Sequence, residues 1–117
     1  MALGTSTATD FFEGCSFGAT NSTTAVTAVS APASSKRRLI KSISVHNKDT
    51  ASSTVTVQLN NSGTKYILTK KTLAADETLL YERTMVLAAT TESLEVVLGA
   101  AITTNQLDYY AVYAEVS

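Results

Sequence analysis

The chain has no tryptophan, one cysteine, one proline and one histidine in 117 residues. Each scarcity excludes something. Cys15 is alone, so there is no intrachain disulfide and no cysteine-based zinc site. It reads as a small buried or half-buried side chain, with a reactive thiol as the alternative. His46 is the only histidine, and one histidine among many serines gives no interpretable Ser-His-Asp spacing. It reads as an exposed histidine at a strand end. Asp49 is near it in sequence, but nothing else converges on the pair to hold a metal. The five glycines are scattered and form no phosphate loop. Asp76 and Glu77 sit together where a turn is expected, so they read as turn residues, not as an acid/base pair. The expectation is therefore no enzyme, no cofactor and no metal. No run of about 18 apolar residues is present, so no helical membrane span is expected. The start, MALGTSTATDFF, has neither a basic region nor an apolar run. Synthesis in a cytoplasm is expected on that ground.

What is abundant is Ser, Thr, Ala and Val, in a chain that is 44% hydrophobic and 16% charged. Branching at Cβ makes Thr and Val suited to a pleated surface. Helix signals are nearly absent. The alternation instead gives short strands. One is expected over about residues 22–31, ended by Pro32, which lacks a ladder donor. RRLIKSISVHN gives a second, with Leu39, Ile43, Val45 and Lys41 on one face and Ile40, Ser42, Ser44 and His46 on the other. TVTVQLN gives a third, with Val55, Val57 and Leu59 inward. NNSG suits a hairpin turn, and TKYILTKK is the returning strand. TLLYERTMVL follows a turn at residues 74–77, and its two faces compete. SLEVVLGA points Leu94, Val96 and Leu98 inward. LDYYAVYAEV closes the series, with Tyr109 and Tyr113 toward the core and Tyr110 on the opposite face as an interface candidate.

Seven or eight such strands with polar turns predict an all-β antiparallel β-sandwich, jelly-roll or immunoglobulin-like. Residues 1–15 read as an extended N-terminal arm carrying Phe11 and Phe12, and residues 16–117 as the sandwich domain. A domain this small without covalent staples often gains stability by association.

Charge is unevenly spread. Residues 36–71 carry eight bases against Asp49, whereas residues 72–117 carry seven acids against Arg83. Three readings compete. The blocks interleave in the fold and cancel; they form opposed patches that match between subunits; or the basic block binds nucleic acid. The last is weakest, because the whole chain has a net charge of −1 and only Tyr66 interrupts the basic run. The matching-patch reading makes Lys36, Arg37 and Arg38 interface candidates.

The succession IKSISVHN, TVTVQL, a Gly turn, KYIL, LAADETL, MVL, ESLEVVL and YYAVYAEV resembles a pattern of small β-sandwich virion proteins of tailed bacteriophages. It covers residues 36–116 and is a rhythm of strands without a catalytic signature. The resemblance implies a structural virion protein, in particular a capsid decoration or cement protein that bridges subunits of the shell. Its partners would be the major capsid protein or another virion protein, and identical copies, with a trimer favoured. Neck, tail and fibre-attachment proteins of similar build are the alternatives within that family. From a different class, a carbohydrate-binding sandwich would need an exposed aromatic platform, for which Tyr66, Tyr81 and Tyr110 are the candidates.

Overall fold

The computed structural model describes residues 12–21, 23–88, 90–102 and 106–116. The expected arm lies largely outside them, Phe11 included, and of Phe12 only the backbone is described. Nine strands follow in order: β1 (Phe12–Thr20), β2 (Val26–Val29), β3 (Arg37–His46), β4 (Ser53–Asn61), β5 (Thr64–Leu73), β6 (Thr78–Tyr81), β7 (Met85–Leu87), β8 (Glu92–Leu98) and β9 (Leu107–Val116). They form two antiparallel sheets. The first runs β1-β9-β3-β6, with β7 also on β3, and the second runs β2-β8-β4-β5.

This strand order makes the sandwich a jelly roll and not an immunoglobulin-like fold. The chain doubles back at the β4–β5 hairpin, so that β4 pairs β5, β3 pairs β6 and β7, β2 pairs β8, and β1 pairs β9. The doubled ribbon then rolls up, joining β3 to β9 and β4 to β8. The tip of the ribbon is a two-residue turn. Ser62 and Gly63 both have positive φ, at 51° and 99°. That is the hairpin geometry whose twist matches the strands, and Gly63 takes the larger angle without a Cβ to clash. Asn60 Oδ1 accepts a bond from the Gly63 amide at 2.8 Å.

The core lies between the sheets. Ile40, Ile43, Val45 and Ala111 of the first sheet meet Val55, Val57, Leu94, Val96 and Leu98 of the second. The inward sets expected for β4, β8 and β9 are those observed. The β3 phase differs from expectation. A bulge at Lys41 breaks the register between Ile40 and Ser42. One extra residue shifts a period-two pattern by a face. Ile40 therefore points inward with Ile43 and Val45, and Leu39 points outward.

β1 is the larger correction. Its inward residues are Gly14, Ser16, Gly18 and Thr20, which carry no apolar signal. The space over them is filled from β9. A Cβ on Gly18 would lie 2.7 Å from the Tyr109 hydroxyl, and one on Gly14 would lie 3.2 Å from the Tyr113 ring. The two tyrosines lie across a strand that is bare on that side. β1 thereby runs straight through the expected boundary at residues 15 and 16. The strand expected over residues 22–31 reduces to β2, which carries a bulge of its own between Thr27 and Val29.

One buried polar residue ties the loops at one end. Asn47 Nδ2 donates to the carbonyls of Ala51, Leu73 and Ala74 at 2.9–3.2 Å, and its Oδ1 accepts from the Asp49 amide. Its backbone bonds to Asp76 and Glu77 in the β5–β6 turn. Asp49 is thus the neighbour of a structural node.

Candidate functional site: the outer face of the first sheet

Register places the outward residues of the first sheet in rows. One row runs Phe17, Tyr110, Ser44, Leu80 from β1 to β6. The next holds Cys15, Val112 and Ser42, and the one beyond it Glu13, Ala114, Leu39 and Val86. On the other side lies Ala19, Asp108, His46, Thr78. Four large apolar side chains on this face stand in water: Phe17 at 72% exposure, Leu80 at 56%, Val86 at 54% and Tyr110 at 46%. Phe17 and Tyr110 stack with ring centroids 6.3 Å apart. Cys15 is exposed beside them, against the expectation of burial, because alternation along an edge strand turns it outward. The Cys15 thiol beside Tyr110 holds the Tyr110 pKa above its ordinary value. Scattered apolar residues are ordinary on a surface, but a contiguous set is a mark of an interaction site.

Two ion pairs flank the Phe17–Tyr110 row on this face. Lys41, at the bulge, pairs with Glu13 across β9, and Ala114 in the Glu13 row is buried. Lys48 pairs with Asp108 at 3.1 Å. The bond from Lys41 holds the Glu13 carboxyl below the usual carboxylate range. A face with an apolar middle and neutralised ends suits another protein surface better than a polyanion.

The same matching decides among the readings of the charge blocks. Arg38 pairs with Glu115, Lys65 with Glu95 and Lys71 with Glu77. Together with the two pairs above, each joins a base of residues 36–71 to an acid outside that run. The doubled ribbon brings the two blocks alongside each other, so they interleave.

Of the expected interface residues, the structure puts Tyr110 on this face. Arg37 is exposed at the start of β3. Lys36 is half-buried just before it, its amide bonded to the Ala33 carbonyl. Arg38 is committed within the chain: Nε bonds Glu115 at 2.8 Å, Nη1 bonds the Ser30 hydroxyl and carbonyl, and the guanidinium lies 4.8 Å over the Tyr113 ring. Phe17, Leu80 and Val86 were not among the expectations. The signal for Phe17 was present in the alternation Glu13, Cys15, Phe17, Ala19, hidden because the intervening residues are small. The aromatic platform is not formed. Tyr66 is on β5 of the second sheet, Tyr81 packs against the core, and Tyr110 is on β9.

Elsewhere the chemistry is sparse. His46 Nδ1 bonds the Thr78 hydroxyl at 2.7 Å, and Nε2 lies 4.0 Å from Asp76. Among the described residues no group of three or more His, Cys, Asp or Glu could hold a metal ion. A cleft of about 420 Å³ beside the β3–β4 loop is lined by small side chains, with Asp49 the only ionisable one.

No family model matches the chain, and no curated protein matches its sequence. Solved structures do. A chain of the acidic stable capsid structure of Helicobacter pylori bacteriophage KHP30 superposes with a TM-score of 0.58 at 12% identity, over 92% of this chain and 94% of that one. A chain of the cyanophage Pam1 capsid asymmetric unit gives 0.54 at 10%, over 92% and 87%. A chain of the Bacillus endospore appendages, a family of disulfide-linked pili, gives 0.52 at 13%, over 92% and 86%. At such identities the likeness shows a shared β-sandwich fold.

Proposed function

We propose that this chain is a structural virion protein of the decoration or cement type, seated on a capsid shell by the outer face of its first sheet. The observation that carries the reading is that face: Phe17, Tyr110 and Leu80 exposed in one row between ion pairs that close within the chain, with Val86 exposed on the same face in the Glu13 row. Two neighbours in fold come from phage capsids, and each is matched along most of its length. Those neighbours in fold are chains of about this size, which favours a small accessory subunit over the main shell protein. The mechanism is added burial across joints between shell subunits. Each Å² of apolar surface covered contributes about 25 cal/mol before the costs of association. In the same reading Phe12, the first residue of β1, and Phe11, outside the described residues, add to the contact with a neighbouring subunit.

The test uses particles of the virus that carries the chain, purified with wild-type protein or with Leu80→Lys. Wild type is present in fixed proportion to the shell protein and raises the temperature at which the shell releases its genome. Leu80→Lys is missing from the particles, and the release temperature falls. A chain that is absent from wild-type particles, or that binds equally well as Leu80→Lys, sinks the proposal.

A further inference from the structure

Sheets end in edges, and an edge strand offers unpaired amides and carbonyls to any other strand. This sandwich has four edges, and three are guarded. β5 is long, but it carries Lys65, Lys70 and Lys71 and is kinked by a bulge in its pairing with β4. β2 has four residues and a bulge. β6 and β7 have four and three residues and interrupt each other. β1 is different. It has nine residues in an unbroken register with β9. Among the described residues it has that one ladder neighbour. Between Glu13 and Ala19 it holds no lysine, arginine, proline or bulge. Apart from Glu13, which is paired with Lys41, none of the usual devices against strand addition is present among the described residues.

From this edge we infer that two copies of the chain pair through β1, antiparallel and about a two-fold axis at Ser16, making one continuous sheet from the two first sheets. The strand is complementary to itself in that register. Ser16 meets the partner's Ser16, Gly14 meets the partner's Gly18, and Cys15 meets the partner's Phe17. Small residues thus oppose small ones on the inner side, where Tyr109 and Tyr113 already cover the strand. Glu13 faces the partner's Ala19, so the acids stay apart. On the outer side Phe17 and the partner's Phe17 become diagonal neighbours, within reach of each other for aromatic rings. Phe17 already stacks on Tyr110. The pairing therefore joins the two short stacks into one row of four rings across the two-fold. An isologous contact of this kind closes on itself and ends at two copies. It replaces the trimer expected from the sequence, and it stands whether or not the chain belongs to a shell.

The experiment is sedimentation equilibrium of the unlabelled protein over a concentration series, with the spectrum of a second sample spin-labelled on Cys15, which is exposed and the only cysteine. Wild type is expected at twice its 12.3 kDa chain mass. In the dimer the two labels lie close together, and the spectrum shows dipolar broadening. Phe17→Lys brings two cations together across the axis, so it sediments as a folded monomer with a sharp spectrum. Ile67→Lys, on the β5 edge, remains dimeric and broadened. A monomer at every concentration, a trimer, or a dimer that Phe17→Lys leaves intact overturns the inference. So does a dimer whose labels show no broadening, because it pairs elsewhere.

Discussion

On the outer face of the second sheet, Glu95 accepts hydrogen bonds from Gln58 at 2.9 Å, Asn60 at 3.0 Å and Lys65 at 2.8 Å, and is left 6% exposed. On the same face stand Thr27, Thr54, Thr56 and Thr72. Thr54 and Thr72 bond each other across the β4–β5 pair at 2.9 Å. On the outer face of the first sheet, the matching positions hold Phe17, Tyr110, Leu80 and Val86. Both faces are the water side of an antiparallel sheet with the same core beneath. The face of the second sheet completes its polar bonds around Glu95 and leaves one large apolar side chain, Ile67, exposed opposite Gln58, whereas that of the first exposes four. Identical backbone plans thus carry differently finished outer faces, one rich in hydrogen bonds within the chain and the other richer in exposed apolar side chains.

The largest expected effect breaks the self-sufficient face. Glu95→Ala leaves Gln58, Asn60 and Lys65 without their shared acceptor. Removing one partner of a buried network costs more than the network contributes. Lys65 is half-exposed and can turn to water, so the loss should be about 2 kcal/mol, read from urea unfolding. The same residue gives a pH signature. Burial pushes the Glu95 carboxyl up, but bonds from Lys65, Gln58 and Asn60 and the charge of Lys65 outweigh it and hold the group below its usual range. Its contribution is therefore complete above the ordinary glutamate value of about 4.3. It is lost as pH falls through the lower folded value. Glu95→Gln should be less stable at neutral pH and should lose less than wild type on acidification below about pH 4.3. Parallel acid unfolding curves for the two proteins would remove Glu95 from the account.

The unequal finish of the two faces also explains what could be seen in the sequence. β4, β8 and β9 were legible because large apolar and polar residues alternate along them, and β5 because it follows the NNSG turn. Tyr109 and Tyr110 were sorted correctly to core and surface by the same rule. β1 was not legible, because the residues that fill its inner side, Tyr109 and Tyr113, belong to a strand about 90 positions later. Its own side chains are small where a strand pattern needs apolar ones. β3 was found, but its phase was lost at Lys41, since nothing local marks a bulge. The charge blocks cancel only once the ribbon doubles back, which no linear count reveals. Jelly-roll order itself is a property of pairing between distant strands, and the alternation within a strand does not encode it. The candidate face was half legible for the same reason: Tyr110 lies in a strand with a clear period, and Phe17 in one without.

An intermediate effect sharpens the comparison from beneath the first sheet. At Gly18 an added methyl would lie 2.9 Å from Tyr109 Cζ as well as 2.7 Å from its hydroxyl, inside any ordinary contact. Gly18→Ala should cost about 1–2 kcal/mol through overpacking, partly offset by the reduced freedom of the unfolded chain. At Gly14 the nearest approach is 3.2 Å, so Gly14→Ala should cost less. Equal costs, measured by thermal unfolding, would mean that the tyrosines do not lie over the strand as two separate lids.

The smallest effect on stability is expected where the effect on assembly is greatest. Leu80 is already more than half in water, so Leu80→Lys removes little buried area, and its lysine can stay solvated. The change in unfolding free energy should stay within about 0.5 kcal/mol, against about 2 kcal/mol for Glu95→Ala on the other sheet. Yet Leu80→Lys puts a charge at the β6 end of the row, where any covering partner would have to desolvate it. The two outer faces then separate along two axes: one residue matters to folding and the other to binding. If Leu80→Lys destabilises the isolated chain as much as Glu95→Ala does, Leu80 is finishing the first sheet from outside. The contrast between the faces would then be one of chemistry alone, with no difference in purpose behind it.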